Sequence, residues 1–181
     1  MLFRSREKLV AEPQAAPPAV KPGDELFAVD PKMVAYISVV AAGWLFEAYR
    51  ENAAKDRFTL FFSKAKDGGV RTCPAGPSFD AVLAALSSLR ARRAFTAAEG
   101  QHMRASALSR QVRLTVADSS EVEPAEWVLV LPEPPEKHVV GFSDDLPTGA
   151  ELDLERGSIE LLAQGCAALA ASARGSAVRT K

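Results

Sequence analysis

Hydrophobic and polar positions alternate along this chain with two periods, and the period assigns most elements. Phe58, Leu60 and Phe62 alternate with Thr59, Phe61 and Ser63 in Arg57 to Ser63, which is the pattern of a strand with one buried face. Asp67-Gly68-Gly69 supplies a turn where positive φ is cheap, and Val70-Arg71-Thr72 returns as the second strand of a hairpin. Phe79, Val82, Leu83, Leu86 and Leu89 recur at helical spacing and predict a helix over 79–94, capped by Ser78 after the break at Cys73-Pro74-Ala75-Gly76-Pro77. Thr96-Ala97-Ala98-Glu99 matches a capping box and starts a second, surface helix over 97–108.

Three extended segments follow. Val112, Leu114 and Val116 alternate with Arg113 and Thr115. Residues 127–131 are apolar on both faces, and 138–142 pair back after the prolines at 132–135. Residues 150–155 alternate acid with apolar, as an edge strand or a first helical turn would, and Ile159, Leu162, Cys166 and Leu169 predict a helix over 158–173.

Met33 to Phe46 carries no charge. Asp30 and Pro31 suit a helix start, while Glu47, Glu51 and Lys55 recur at i, i+4, i+8, so a helix over 31–55 is expected. A central core helix is favoured. Residues 33–49 as a single membrane span form the alternative, at the lower limit of about 17 to 25 residues that a bilayer requires, and an oligomer interface ranks third. If the segment spans, the basic residues before it hold the N-terminal arm in the cytoplasm and place the domain outside an inner membrane.

These elements predict an α+β fold: an antiparallel sheet of about four to five strands with helices packed on one face. Residues 1–24 contain Pro13, Pro17, Pro18 and Pro22 and read as a flexible Pro/Ala-rich arm, 25–173 as a single domain, and 174–181 as a frayed tail. The first residues are basic, but no apolar export segment follows them, which points to the cytoplasm.

Charge changes the picture most. Residues 90–113 carry six arginines against one acid, whereas residues 118–160 carry twelve acids against two bases. Within a chain of formal net charge −1, this segregation predicts a basic and an acidic surface for protein partners, or for copies of the chain itself. Arg90, Arg92, Arg93, Arg104, Arg110 and Arg113 are the candidate contacts. Nucleic acid ranks below protein, because Phe95 is the only aromatic among these arginines and the acidic block repels a polyanion.

Catalytic chemistry is sparse. No phosphate-binding glycine loop is present, His102 and His138 lack partners at metal-ligand spacing, and neither a cofactor nor a metal is expected. Cys73, ahead of a helix start, and the Asp144/Asp145 pair are the candidates for a small enzyme. Cys73 and Cys166 lie far apart, and nothing in the sequence enforces a bridge between them. The favoured reading is a non-enzymatic accessory or assembly protein.

Overall fold

The computed structural model describes residues 19–50, 57–66, 68–119 and 123–170. Most of the predicted arm and all of the predicted tail lie outside them.

The expected sheet of four to five strands is overturned: ten strands form one antiparallel sheet. In chain order they are β1 (Glu25–Ala28), β2 (Val34–Ala41), β3 (Trp44–Arg50), β4 (Phe58–Lys64), β5 (Val70–Pro74), β6 (Ser88–Ala94), β7 (Gln111–Asp118), β8 (Ala125–Val130), β9 (His138–Phe142) and β10 (Ala150–Glu155). Their order across the sheet is β1-β6-β10-β9-β8-β7-β2-β3-β4-β5. Four α-helices, α1 (Pro77–Leu86), α2 (Ala97–Ser106), α3 (Arg156–Gln164) and α4 (Cys166–Ala170), and a 3-10 turn at Leu108–Arg110 complete the described fold.

Of the expected helix over 31–55, residues 51–55 lie outside the described residues, and the rest is instead the β2–β3 hairpin with the turn that precedes it. Ala41 pairs with Trp44 across the two-residue turn Ala42-Gly43, where Gly43 holds φ +94°, a value that other residues rarely adopt. Ile37, Val39, Phe46 and Ala48 point into the core, while Tyr36, Val40, Leu45 and Tyr49 face outward. Those outward residues are themselves apolar, so the two-residue period is invisible in the sequence, and a continuous apolar run does not distinguish helix from strand. Residues 33–49 are thus two strands, and among the described residues no helix is long and apolar enough to cross a membrane.

The predicted helix over 79–94 stops at Leu86. Gly76, not Ser78, is its N-cap, and at its other end the buried Ser87 hydroxyl donates to the Leu83 carbonyl at 2.6 Å. The chain then enters β6, in which Leu89 and Ala91 point inward and Arg90 and Arg92 outward. Leu89 falls at helical spacing from Leu86, which is why the sequence alone extends the helix across the break. β10 lies between β6 and β9 and is therefore an interior strand.

The C-terminal helix is broken at Gly165 (φ +78°), where a Cβ would run into the Phe62 ring. The resulting pair, α3 and α4, packs with α1 over one face of the sheet and encloses the main core with Leu60, Leu114, Leu129 and Leu152. A smaller cluster lies on the opposite face, because Val130, Val140 and Phe142 alternate with the inward Leu129 and Val139. Met103 and Ala107, at the end of α2, cover it. Helices therefore occupy both faces.

Residues 21–24 of the predicted arm are tied to β6: the Gly23 amide donates to the Ala91 carbonyl at 2.7 Å, and the Ala91 amide donates back to Asp24 at 2.9 Å.

Cys73 on the outer strand β5 and Cys166 at the start of α4 form a disulfide with a Cα–Cα separation of 5.8 Å. It joins points 93 residues apart, and the Gly76 amide reinforces the junction by donating to the Leu169 carbonyl at 3.2 Å. A cross-link closing a loop of this length stabilises by about 3–5 kcal/mol through the unfolded chain. Replacing both cysteines by serine is expected to lower unfolding free energy by about that amount, as reductant does for the wild type. Urea titrations of the two proteins, with and without reductant, check this; superimposable curves would contradict it.

Candidate functional site

Folding undoes much of the charge segregation. β6, from the basic block, lies beside β10, from the acidic block, so their outward side chains meet. Arg92 contacts Glu151 at 3.4 Å and Asp153 at 3.6 Å, and Arg93 contacts Glu99 at 3.2 Å and Glu151 at 3.7 Å. Arg90 pairs with Glu25 of β1 at 2.9 Å, and Arg110 with Glu133 at 3.3 Å while also donating to the Leu131 carbonyl. These pairs are largely exposed, and such pairs contribute about 0–1 kcal/mol each. Four of the six candidate arginines thus have carboxylates of their own. Phe95, the aromatic considered as a stacking base, is buried beneath the Arg93 guanidinium, which lies 4.5 Å from the ring centre.

Arg104 and Arg113 differ. Neither has a carboxylate partner among the described residues. Arg104 projects from the last turn of α2 over the Phe142 ring, 4.5 Å from its centre, and Arg113 points outward from β7 between Val40 of β2 and Val128 of β8. Both line a cleft of 740 Å³. Its apolar wall includes Leu26 and Phe27 of β1, Trp127 of β8, Phe142 of β9 and Leu146. Glu25, Glu123, Glu126, Asp144 and Asp145 also line it, so five carboxylates accompany two guanidiniums.

The structure brings Asp144 and Asp145 to this cleft, but as the exposed corner of a tight turn closed by reciprocal backbone hydrogen bonds between Ser143 and Leu146. Among the described residues, no group of three or more His, Cys, Asp or Glu is arranged to hold a metal ion. Cys73 is oxidised in the disulfide and offers no thiolate.

Two features of this surface are absent from the sequence reading. β1, whose apolar pair Leu26-Phe27 is too short to register a period, contributes one wall of the cleft. The outer face of β2–β4 carries an aromatic group in which Tyr36 and Tyr49 lie 4.6 Å apart and both donate to Glu47 Oε1, at 3.0 and 3.1 Å. Partial desolvation, then the Tyr36 hydroxyl and the Glu47 carboxylate, hold the Tyr49 phenol above its ordinary range. Phe61 meets Tyr49 edge-on at 5.6 Å.

No protein-family profile, curated protein or solved structure matches the chain.

The capping box fixes the helix that carries Arg104. The Thr96 amide donates to Glu99 Oε2 at 2.8 Å, and the Glu99 amide donates to the Thr96 hydroxyl at 3.3 Å. The Thr96 backbone amide foremost, then its hydroxyl, hold the Glu99 carboxyl below the usual carboxylate range, and Arg93 adds to this. A carboxyl whose pKa is lower folded than unfolded stabilises the fold above its unfolded pKa and loses that contribution as pH falls through the folded value. Glu99→Gln is therefore expected to be less stable than wild type at neutral pH, the gap closing in the acid range. Denaturant titrations across that range measure it, and a gap independent of pH would refute the assignment.

Proposed function

We propose that this chain is a non-enzymatic accessory or assembly protein that holds a protein partner in the cleft beneath α2. The observation that carries the reading is the pair Arg104 and Arg113. They are the candidate arginines without a carboxylate partner among the described residues, and both face a cleft with an aromatic wall. A guanidinium at the rim of such a cleft forms charge-assisted bonds to a partner's carboxylates, and the apolar wall supplies contact area. The five carboxylates of the cleft suit a partner segment carrying cations as well. They also disfavour nucleic acid, whose phosphates they repel.

The smaller rival, an enzyme, loses its thiol to the disulfide and retains only the solvated Asp144/Asp145 turn. The compartment follows the same chemistry. Disulfides persist in oxidising surroundings and are rare in the cytoplasm, so the Cys73–Cys166 bridge supports maturation outside a reducing cytoplasm, in place of the cytoplasmic location expected from the first residues.

Reversing both free charges, R104E with R113E, is expected to weaken partner association at low salt at least about tenfold, which corresponds to roughly 1.4 kcal/mol. Sedimentation velocity reads association with copies of the chain, and quantitative co-purification from the native cell reads other partners. The thermal midpoint is expected to fall little, since neither arginine has a carboxylate partner among the described residues and only the stacking of Arg104 on Phe142 is lost. R92E with R93E, which breaks internal pairs instead, should shift the midpoint and leave association near wild type. Equal association by all three proteins would defeat the proposal.

A further inference from the structure

We propose that the outer face of β2–β4 holds an arginine side chain of a protein partner, its guanidinium seated against the Glu47 carboxylate and the rings of Tyr49 and Phe61. None of these residues lines the cleft, so the site is a second one. Outward positions of an antiparallel sheet that faces water ordinarily carry polar side chains, yet here they include Tyr36, Val40, Leu45, Tyr49 and Phe61. Val40 is 46% exposed and Tyr49 41%. Helix α2 covers the cluster at Val130, Val140 and Phe142 toward the β8–β9 end of this face, and β2–β4 lie beyond it.

Charge complementarity names the occupant. Glu47 is the single charged side chain on the outward rows of β2, β3 and β4, and among the described residues no cation pairs with it. The Tyr36 and Tyr49 hydroxyls both donate to its Oε1, at 3.0 and 3.1 Å, which fixes the carboxylate and leaves Oε2 for an incoming donor. Phe61 stands directly opposite Glu47 in the β3–β4 register, and Tyr49 meets Phe61 edge-on. A cation held against a carboxylate and a ring gains from both, and a planar guanidinium stacks where a compact, strongly hydrated ammonium does not. The fold already uses this contact elsewhere: Arg50, Arg93 and Arg104 rest over Phe58, Phe95 and Phe142 at 4.6, 4.5 and 4.5 Å.

Titration of the full-length, oxidised protein with a blocked glycine-arginine-glycine peptide, followed by residue-resolved NMR, tests this. Saturable shifts are expected at Tyr36, Glu47, Tyr49 and Phe61, with a dissociation constant in the millimolar range, about what one ion pair and one ring contact supply. The matching citrulline peptide, similar in shape but uncharged, is expected to bind at least about tenfold more weakly, and the lysine peptide about threefold more weakly. This comparison needs no variant. Citrulline or lysine binding as tightly as arginine would overturn the proposal. Shifts confined to Glu123, Glu126, Asp144 and Asp145 would overturn it too, while leaving the cleft reading intact.

Two variants locate the contact. E47Q keeps an acceptor for both tyrosine hydroxyls and loses only the charge, so it is expected to weaken the arginine peptide about fivefold or more. F61L keeps an apolar side chain and loses the ring, and is expected to bring the arginine and lysine peptides to equal affinity, which a general loosening of the fold does not do. Wild-type behaviour of either variant would count against the inference. Failure of R104E with R113E to weaken partner association would instead remove the cleft reading and leave this site standing.

Discussion

One constraint organises this molecule: the ten-stranded antiparallel sheet buries most of one face and a patch of the other, and its interior strands commit alternate residues to the larger core. Ile37 and Val39, Phe46 and Ala48, Leu60 and Phe62, and Leu114 and Val116 all meet in a single core because a one-residue slip in any strand would turn its apolar set outward. Helices α1, α3 and α4 close that core on one side. Their seating depends on two glycines, since a side chain at Gly76 would meet the α4 backbone and one at Gly165 would meet Phe62. The disulfide then fixes the same corner covalently. Burial selects the register, and the cross-link holds the last helices against the outermost strand.

What the sequence made legible depended on whether a strand's outward face was polar. β4, β7 and β9 alternate or lie between clear turn signals, and the structure places them close to the expected positions. The capping box at Thr96 and Glu99 forms as read. The β2–β3 hairpin was illegible for the opposite reason, because Tyr36, Val40, Leu45 and Tyr49 face outward and fill the polar half of the pattern with apolar residues. β6 was hidden differently. Leu86 and Leu89 keep helical spacing across a helix end that the buried Ser87 marks only through its bond to Leu83. The bridge was illegible because proximity of Cys73 and Cys166 is a product of tertiary packing, which sequence distance does not encode.

The charge map shows how linear segregation differs from spatial segregation. Basic and acidic blocks occupy separate stretches of chain, yet antiparallel pairing sets β6 beside β10, and their arginines and carboxylates interleave as a sheet surface that discourages like-charge contact. Of the six arginines singled out by sequence, the fold therefore separates two kinds. Arg90, Arg92, Arg93 and Arg110 serve the surface on which they stand, while Arg104 and Arg113 face a cleft assembled from β1, β8 and the β9–β10 turn. No local motif could have marked that cleft, since its walls come from segments about a hundred residues apart.

The composition of the cleft also bears on what it can discriminate. A purely basic groove would accept any polyanion, and a purely apolar one any exposed hydrophobic segment, so neither alone gives much selectivity. Here guanidiniums, carboxylates and aromatic rings share one concavity, and a ligand must present complementary signs at matching positions or leave charges poorly solvated. Arg104 illustrates the arrangement: its guanidinium already rests on Phe142, and a side chain held in this way loses less entropy on binding. Such a mixture of charge and aromatic surface is the basis on which we propose a mixed-charge polypeptide as the cleft's ligand.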